Sequence, residues 1–451
     1  MGTVMYIDER ELENGITEVM AEKLIKKYLS SGVPERCARL RDYYIGKHDI
    51  LNRVKTSKMA ANNKIVCNYA KYIADIEQAY LTGNPITYSS SMDYDIEAVK
   101  DAYDEENISS VDSEVSKDMN IYGNSFELVY ADENAKPKSV RLKPGSAFIC
   151  YTQGADERPL IGIYFYKTYD MDGNCTGAVC NAYDSDFIYR FVSRQNDYSN
   201  FELTETEQHY FGGVPLIEHI NDRERQGDIE QVTSLIDAYN LLMSDRINDK
   251  EQFVDSFLFL KNIEIDSENA QKLKDEKILM GYEDSKAEYL SKVMHEADIK
   301  VLRDDLRADI LFLSMTPDLS DKDFGGNISG VSIKYKLLSF EQKIKSKVSF
   351  FQKSLRKRFE LYNYYLNIKN QMSIVPTHRV DITFTYNLPA NELEIAQMIS
   401  YLTGLVSNET LLERLPFVTD AKEENEIVKE EAAERKRLEV EKIEELSARG
   451  Y

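Results

Sequence analysis

The chain runs to 451 residues, 42% apolar and 30% charged, enough to bury a substantial core and to form roughly two to four domains. Five cysteines without a C-x-x-C pair, and no uncharged apolar run near the ~18 residues that cross a bilayer, argue against a disulfide framework and a membrane protein. A net charge of −22 excludes a protein that grips nucleic acid over its whole surface, because phosphate contacts draw on an excess of Lys and Arg.

The N-terminus carries acidic groups where a signal peptide carries basic ones, and Tyr6 stands where a myristoylation motif wants Ser or Thr. Unpaired thiols fit a reducing compartment, so assembly in a cytoplasm is expected. Cys175 and Cys180 lie closest together, but with no His at ligand spacing they make a poor zinc site.

The first ~85 residues read as helical, with amphipathic stretches over Ile16 to Leu29 and Val66 to Leu81. The second stops at Gly83-Asn84-Pro85. From Phe126 to Val192, short β-rich runs (FELVY, SVRL, AFICY, LIGIYFYKTY, FIYRFV) alternate with turn residues and predict an antiparallel meander. Asp170 to Asn174 has the look of a calcium loop but lacks its closing Glu, and is read as a hairpin turn. Gly227 opens a helix whose stripe of Ile229, Val232, Leu235, Ile236, Tyr239, Leu242, Met243 and Ile247 faces one way, with polar residues opposite. Strand-like runs SFLFLK, KILMGY and EYLS follow, then a second helix from about His295 to Met315, ended by Thr316-Pro317-Asp318. These describe a long hairpin with a knob at its tip. Neither helix has enough partner surface within the chain, so packing against neighbouring subunits is expected.

The run Ser320 to Gly330, SDKDFGGNISG, holds three glycines and precedes a segment free of Gly and Pro until Pro376. Apolar residues at Leu337, Phe340, Ile344, Val348, Phe351, Leu355, Phe359, Tyr362 and Leu366 repeat at helical spacing. A helix of nearly 40 residues would be about 60 Å long. Between Ile328 and Lys369 ten cations face only Glu341 and Glu360, an excess of +8. Two readings stand: a solvated helix face paired to acidic neighbours, or loop-proximal cations (Lys322, Lys334, Lys336) that meet phosphates transiently. Arg379 to Tyr386 alternates like a strand, and helices are expected near Glu392 to Leu405 and Glu409 to Leu415. The last 32 residues hold 11 acidic and 7 basic groups and read as a solvated helix or frayed tail.

Motifs of catalysis are missing: no G-x-x-x-x-G-K-[ST], no G-x-G-x-x-G, no G-x-S-x-G and no H-E-x-x-H. His209 and His219 flank a turn and read as satisfied surface or core residues. Asp304, Asp305 and Asp309 would suit a metal-dependent nuclease, but Arg303 and Arg307 interleave with them and i,i+4 ion pairing accounts for them more simply.

Several short motifs carry a family resemblance: Tyr43 to His48, Asn63 to Val66 with Asn68, Tyr80 to Ile86, Tyr122 to Ser125, Gly213 to Glu218, Gly227-Asp228 leading to Leu235 to Asn240, Gly326 to Val331, and Ser407 to Leu412. In this order, from roughly Arg36 to Glu431, the chain resembles the portal proteins of tailed bacteriophages with long non-contractile tails, the SPP1 type. Ser332 departs from the small apolar residue expected after Ser-Gly-Val, and the acidic tail past Glu431 matches nothing diagnostic. The resemblance implies an α+β, mainly α portal fold that assembles as a ring of about twelve subunits. It would comprise N-terminal helices and a β-rich wing (1–225), stem helix 1 (226–253), clip (254–294), stem helix 2 (295–316), tunnel loop (317–331), long wing helix and returning strand (332–389), and C-terminal crown and tail (390–451). It also implies a ring at one capsid vertex of the virion, through which double-stranded DNA passes. Its partners would be the terminase large subunit, a head-completion adaptor, and the major capsid and scaffolding proteins, with no membrane, no cofactor, no metal and no catalytic residue.

The implied DNA-facing residues are Asp321, Lys322, Asp323, Phe324, Gly325, Gly326, Asn327, Gly330 and Lys334. Glu283, Asp284 and Lys286 are the implied clip contacts for terminase or adaptor. The alternatives are a nucleic-acid-processing enzyme built on the Asp304 cluster and a coiled-coil scaffold.

Overall fold

The computed structural model describes residues 4–13, 15–55, 61–90, 94–254, 257–261, 284, 286–290, 296–320, 330–386, 392–415, 418 and 421–448. The chain starts with a short strand, β1 (Met5–Ile7), then helices α1 (Glu18–Leu29), α2 (Val33–Tyr44) and α3 (Tyr69–Thr82). Side-chain oxygens cap two of these helices. The Thr17 hydroxyl accepts from the Met20 N–H, and the Asn68 carbonyl oxygen accepts from the Lys71 N–H. Next come β2 (Thr87–Ser90), α4 (Glu97–Glu106) and α5 (Ile108–Tyr122), the last buried along most of its length.

Strands β3 (Asn124–Ala131), β4 (Pro137–Arg141), β5 (Ala147–Thr152), β6 (Pro159–Tyr169), β7 (Cys175–Tyr183), β8 (Phe187–Ser193), β9 (Glu202–Gln208) and β10 (Leu216–Ile220) follow. The meander is present as β5-β6-β7-β8-β9, all antiparallel, and the Asp170 to Asn174 segment is the turn between β6 and β7. Two features depart from the sequence reading. The FELVY and SVRL runs, β3 and β4, leave the meander and form a separate sheet in the order β10-β3-β4. The helical N-terminal region opens with a strand: β1 lies parallel to β5, Met5 opposite Cys150. Three residues are too few for a period of two to stand out in the sequence, although Met5 and Ile7 are buried and Tyr6 is not.

The second half holds α6 (Thr233–Val254), β11 (Phe257–Lys261), β12 (Lys286–Leu290), α7 (Glu296–Leu313), α8 (Gly330–Ile368), β13 (Val380–Thr383), α9 (Glu392–Leu402), α10 (Asn408–Leu412) and α11 (Ala421–Ala448). The run of nearly 40 helical residues is there: α8 has 39, with Ser332 inside its first turn. β13 returns to pair with β2, Val380 opposite Ser90, tying the chain after the long helix to the N-terminal region. The KILMGY run lies outside the described residues.

One core packs α1 to α3 and the start of α6 against the large sheet. A second packs α4, α5 and the apolar stripe of α8 together, and a small third fills the space between the two larger sheets. Two glycines set how closely the chain entering α6 approaches α5. A Cβ on Gly227 would sit 2.2 Å from the Ile121 carbonyl oxygen, and one on Gly123 (φ 85°) 2.0 Å from that of Arg225. This backbone-to-backbone contact puts the Asp228 N–H 2.8 Å from the Asn120 carbonyl oxygen.

Candidate functional site

Helices α6 and α7 form the expected hairpin, with the β11–β12 ribbon between them in sequence. Its foot is buried, and further along each helix one side is at least partly covered and the other open. Ile229, Val232, Ile236 and Tyr239 sit in the core, whereas Leu241 and Ile247, further along α6, face solvent. On α7 the described side chains are buried only near its end, at Ile310 and Leu311, with Ser314 buried just past it, while Phe312 is 79% exposed. Tyr335 and Leu338, near the start of α8, are exposed too. Most of the stripe read on α6 is thus covered by the chain itself, against the expectation that it lacks partner surface; among the described residues the apolar side chains left exposed here include Leu241, Ile247, Phe312, Tyr335 and Leu338.

The polar side of α6 differs from expectation. Asn240, Ser244 and Asn248, one turn apart, are buried beneath an extended segment. The Asn63 N–H donates to Asn248 Oδ1 (2.7 Å), the Ile65 N–H to Ser244 Oγ (2.9 Å) and the Cys67 N–H to Asn240 Oδ1 (2.7 Å). Two residues of extended chain advance about 6.6 Å and one helical turn about 5.4 Å, so alternate N–H groups meet successive turns. Asn240 also holds His48 Nδ1 at 2.8 Å, the Tyr43 hydroxyl donates to Asp237 (2.6 Å), and Arg53 pairs with Asp245. The motifs around Tyr43 to His48, Asn63 to Asn68 and Leu235 to Asn240, scattered in sequence, converge on this one seam.

The cations of α8 hold the main correction. Pairing to acidic neighbours is observed, but among the described residues Lys343, Lys347 and Arg358 turn into the protein. Lys343 Nζ contacts Glu77, Asp228 Oδ1 (3.0 Å) and the Ser314 carbonyl oxygen (2.8 Å). Lys347 Nζ donates to Glu77 Oε2 (2.7 Å), Asp228 Oδ2 (2.6 Å) and Asn120 Oδ1 (2.7 Å). Two lysines and two carboxylates thus form a neutral square. Burial and the neighbouring Asp228 push the Glu77 carboxyl up. For Asp228 burial acts in the same direction, but the two ammonium groups outweigh it and hold that carboxyl well below the usual range.

Three turns further on, Arg358 forks onto Glu127 (2.7 and 2.8 Å) and reaches Asp112 (2.6 Å). His219 bridges Glu127 (2.8 Å) and Ser354 (2.8 Å). The satisfied core role expected of His219 is observed, and His209 is buried as well.

A signal for these buried ions was present in the sequence. Lys343, Lys347 and Arg358 fall in phase with the stripe of Phe340, Ile344, Phe351, Leu355 and Tyr362, and Glu77 lies between Ile73, Ala74, Tyr80 and Leu81 on the apolar side of α3. Counting charges over the segment hid them.

Of the implied DNA-facing residues, Asp321, Lys322, Asp323, Phe324, Gly325, Gly326 and Asn327 lie outside the described residues. Gly330 opens α8, and Lys334 lies on its first turns. In the clip, Glu283 lies outside the described residues; Asp284 is an exposed turn residue at φ 66°, and exposed Lys286 begins β12, opposite Lys261. Asp304 pairs with its neighbour Arg303 (2.6 Å), while Arg307 crosses to Asp318 (2.8 Å), so neighbour and cross-segment pairs replace the i,i+4 pattern. Among the described residues no group of three or more His, Cys, Asp or Glu is placed to hold a metal, and no helix is long and apolar enough to cross a membrane.

Comparison with known proteins gives a consistent set. The family model described as phage portal protein, SPP1 Gp6-like, matches residues 34–438. The portal protein of Bacillus phage SPP1 is 24% identical over 453 residues, covering 90% of this chain and 86% of that one. The portal protein of Clostridium phage phiCD119 is 23% identical over 420 residues, covering 87% and 91%. Among solved structures, a chain from the neck of an empty GTA particle computed with C6 symmetry aligns at a TM-score of 0.46 and 11% identity, over 76% of this chain and 88% of that chain.

Proposed function

The chain belongs to the SPP1 Gp6-like family of phage portal proteins, and from that premise we propose that it closes into a ring at one capsid vertex. That ring is the channel for double-stranded DNA during packaging and ejection, and the docking platform for the terminase and later for head-completion adaptors. The observation that carries this reading is the uncovered apolar surface on the hairpin and the start of the long helix, where Phe312 is 79% and Tyr335 75% exposed. Large apolar side chains this exposed suit a surface that other subunits cover. In this reading α6 and α7 are the stem, the β11–β12 region the clip, α8 and the large sheet the wing, and α9 to α11 the crown.

The charge balance supports conduction over capture. About twelve copies at −22 each give a field of roughly −260 that repels a polyphosphate, so DNA slides instead of sticking. The contact with DNA is assigned to residues 321–330, with Lys322 as the cation within that run. Replacing Lys322 with Ala and deleting one of Gly325 and Gly326 should lower the amount of DNA packaged while leaving the assembly intact. Packaging at the unmodified level in both variants refutes that assignment. Glu283, Asp284 and Lys286 are proposed to contact terminase or adaptor. Negative-stain images of the purified protein test the ring itself: end-on views should show annuli with a central hole. A stable compact monomer at every concentration and salt would overturn the proposal.

A further inference from the structure

The hairpin meets the rest of the chain at its foot, and one residue of the long helix touches both of its legs there. Lys343 Nζ binds Asp228, five residues before α6, and the carbonyl oxygen of Ser314, one residue past the end of α7. That carbonyl is among those a helix C-terminus leaves without an intrahelical partner, and a cation is the group best placed to satisfy it. Lys347, one turn on, binds Asp228 again, together with Glu77 of α3 and Asn120 of α5. The site is closed to water: Lys347, Glu77 and Asp228 are buried and the Lys343 side chain is 13% exposed.

Other contacts hold α7 to α6 and to α3. The Gln231 side chain donates to the Leu313 carbonyl oxygen, and the Tyr72 hydroxyl donates to that of Pro317 while accepting from the Leu319 N–H. Lys343 adds a tie from both legs to the long helix.

We propose that the square of Glu77, Asp228, Lys343 and Lys347 is a mechanical joint that makes the foot of the hairpin and the long helix turn as one body. Ion pairs of this kind suit a joint because their geometry is directional, and removing one partner leaves a buried charge uncompensated. The hinge of any hairpin motion then lies outward of the joint and of the seam that fastens α6 as far as Asn248, and displacement at the start of α8 reaches the hairpin through Lys343. The inference concerns contacts within one chain and does not depend on ring formation.

Spin labels introduced as unnatural amino acids at the exposed positions 309 and 346 report the distance between α7 and α8. The full chain is used, diluted with unlabelled protein. The unmodified joint should give a single narrow distance distribution. The charge-free variant Glu77→Gln, Asp228→Asn, Lys343→Met, Lys347→Met should at least double its width, while Tyr72→Phe leaves it narrow. If the fourfold variant does not fold, Lys343→Met alone is informative, because Lys347 still spans both carboxylates and only the α7 end is released. Broadening in that variant supports the joint. A distribution as narrow as the unmodified one in whichever variant folds, or broadening with Tyr72→Phe alone, overturns it.

Discussion

Asp118 shows how burial can dominate a charge that has a partner. Its side chain is 9% exposed, and Arg141 Nε stands 3.4 Å away but is shared with Glu114 at 3.3 Å. Burial outweighs so divided a guanidinium and lifts the carboxyl to about 7. The unfolded group titrates near 3.9, so between about pH 4 and 7 the native state holds the extra proton and stability falls as pH rises through that window. Asp118→Asn should flatten that slope and gain on the order of 1–4 kcal/mol at pH 8. Urea midpoints at pH 5 and pH 8 check it; the same slope in the variant as in the unmodified chain would count against this account. Glu127 behaves in the opposite way. Burial would push its carboxyl up, yet Arg358 and His219 offset this and hold it far below the ordinary range, so its contribution is present at neutral pH and is lost as pH falls.

At the scale of elements, the seam between residues 63–67 and α6 fastens an extended segment to a helix through side chains alone. Each acceptor on α6 answers one backbone N–H of a half-buried residue, and a buried N–H left without a partner costs about 1–3 kcal/mol. Ser244→Ala removes a small oxygen with little loss of volume, so it isolates that term. It should lower stability by about 1–3 kcal/mol and speed amide exchange at Ile65 before exchange rises elsewhere. Asn240→Ala should cost more than Ser244→Ala, because it also strands His48. Equal protection of Ile65 in the Ser244 variant would show that the seam rests on something else. The apolar stripe of α6 was readable from spacing, but the use of its polar side was not, since Asn, Ser and Asn at four-residue steps look identical on a solvated face and under a buried strap.

For the whole molecule, a net charge of −22 coexists, among the described residues, with exposed apolar side chains at Leu241, Ile247 and Phe312 of the hairpin and Tyr335 and Leu338 of α8. On the proposed ring the charge opposes close approach of copies, and the apolar side chains favour association with copies that cover them. Replacing Phe312 and Leu338 with Glu should leave far-UV circular dichroism unchanged and shift sedimentation from an assembly toward the single chain. Sedimentation unaffected by both changes would place the subunit contact elsewhere. Raising the salt concentration should ease assembly by screening repulsion among like-charged copies.

Periodicity, glycine and proline placement and the order of short motifs determined the helical hairpin, the run of nearly 40 helical residues, the meander and the family, because each depends on neighbours in the chain or on patterns readable along it. Only the tertiary structure decided that β3 and β4 leave the meander for β10, that β1 joins β5 from far away in sequence, and that the cations at 343, 347 and 358 turn inward. The physical reason is the same in each case. A strand's partner and a charge's environment are set by groups hundreds of residues distant: Lys347 is affordable in the core only because Glu77, Asn120 and Asp228 arrive there from three other segments.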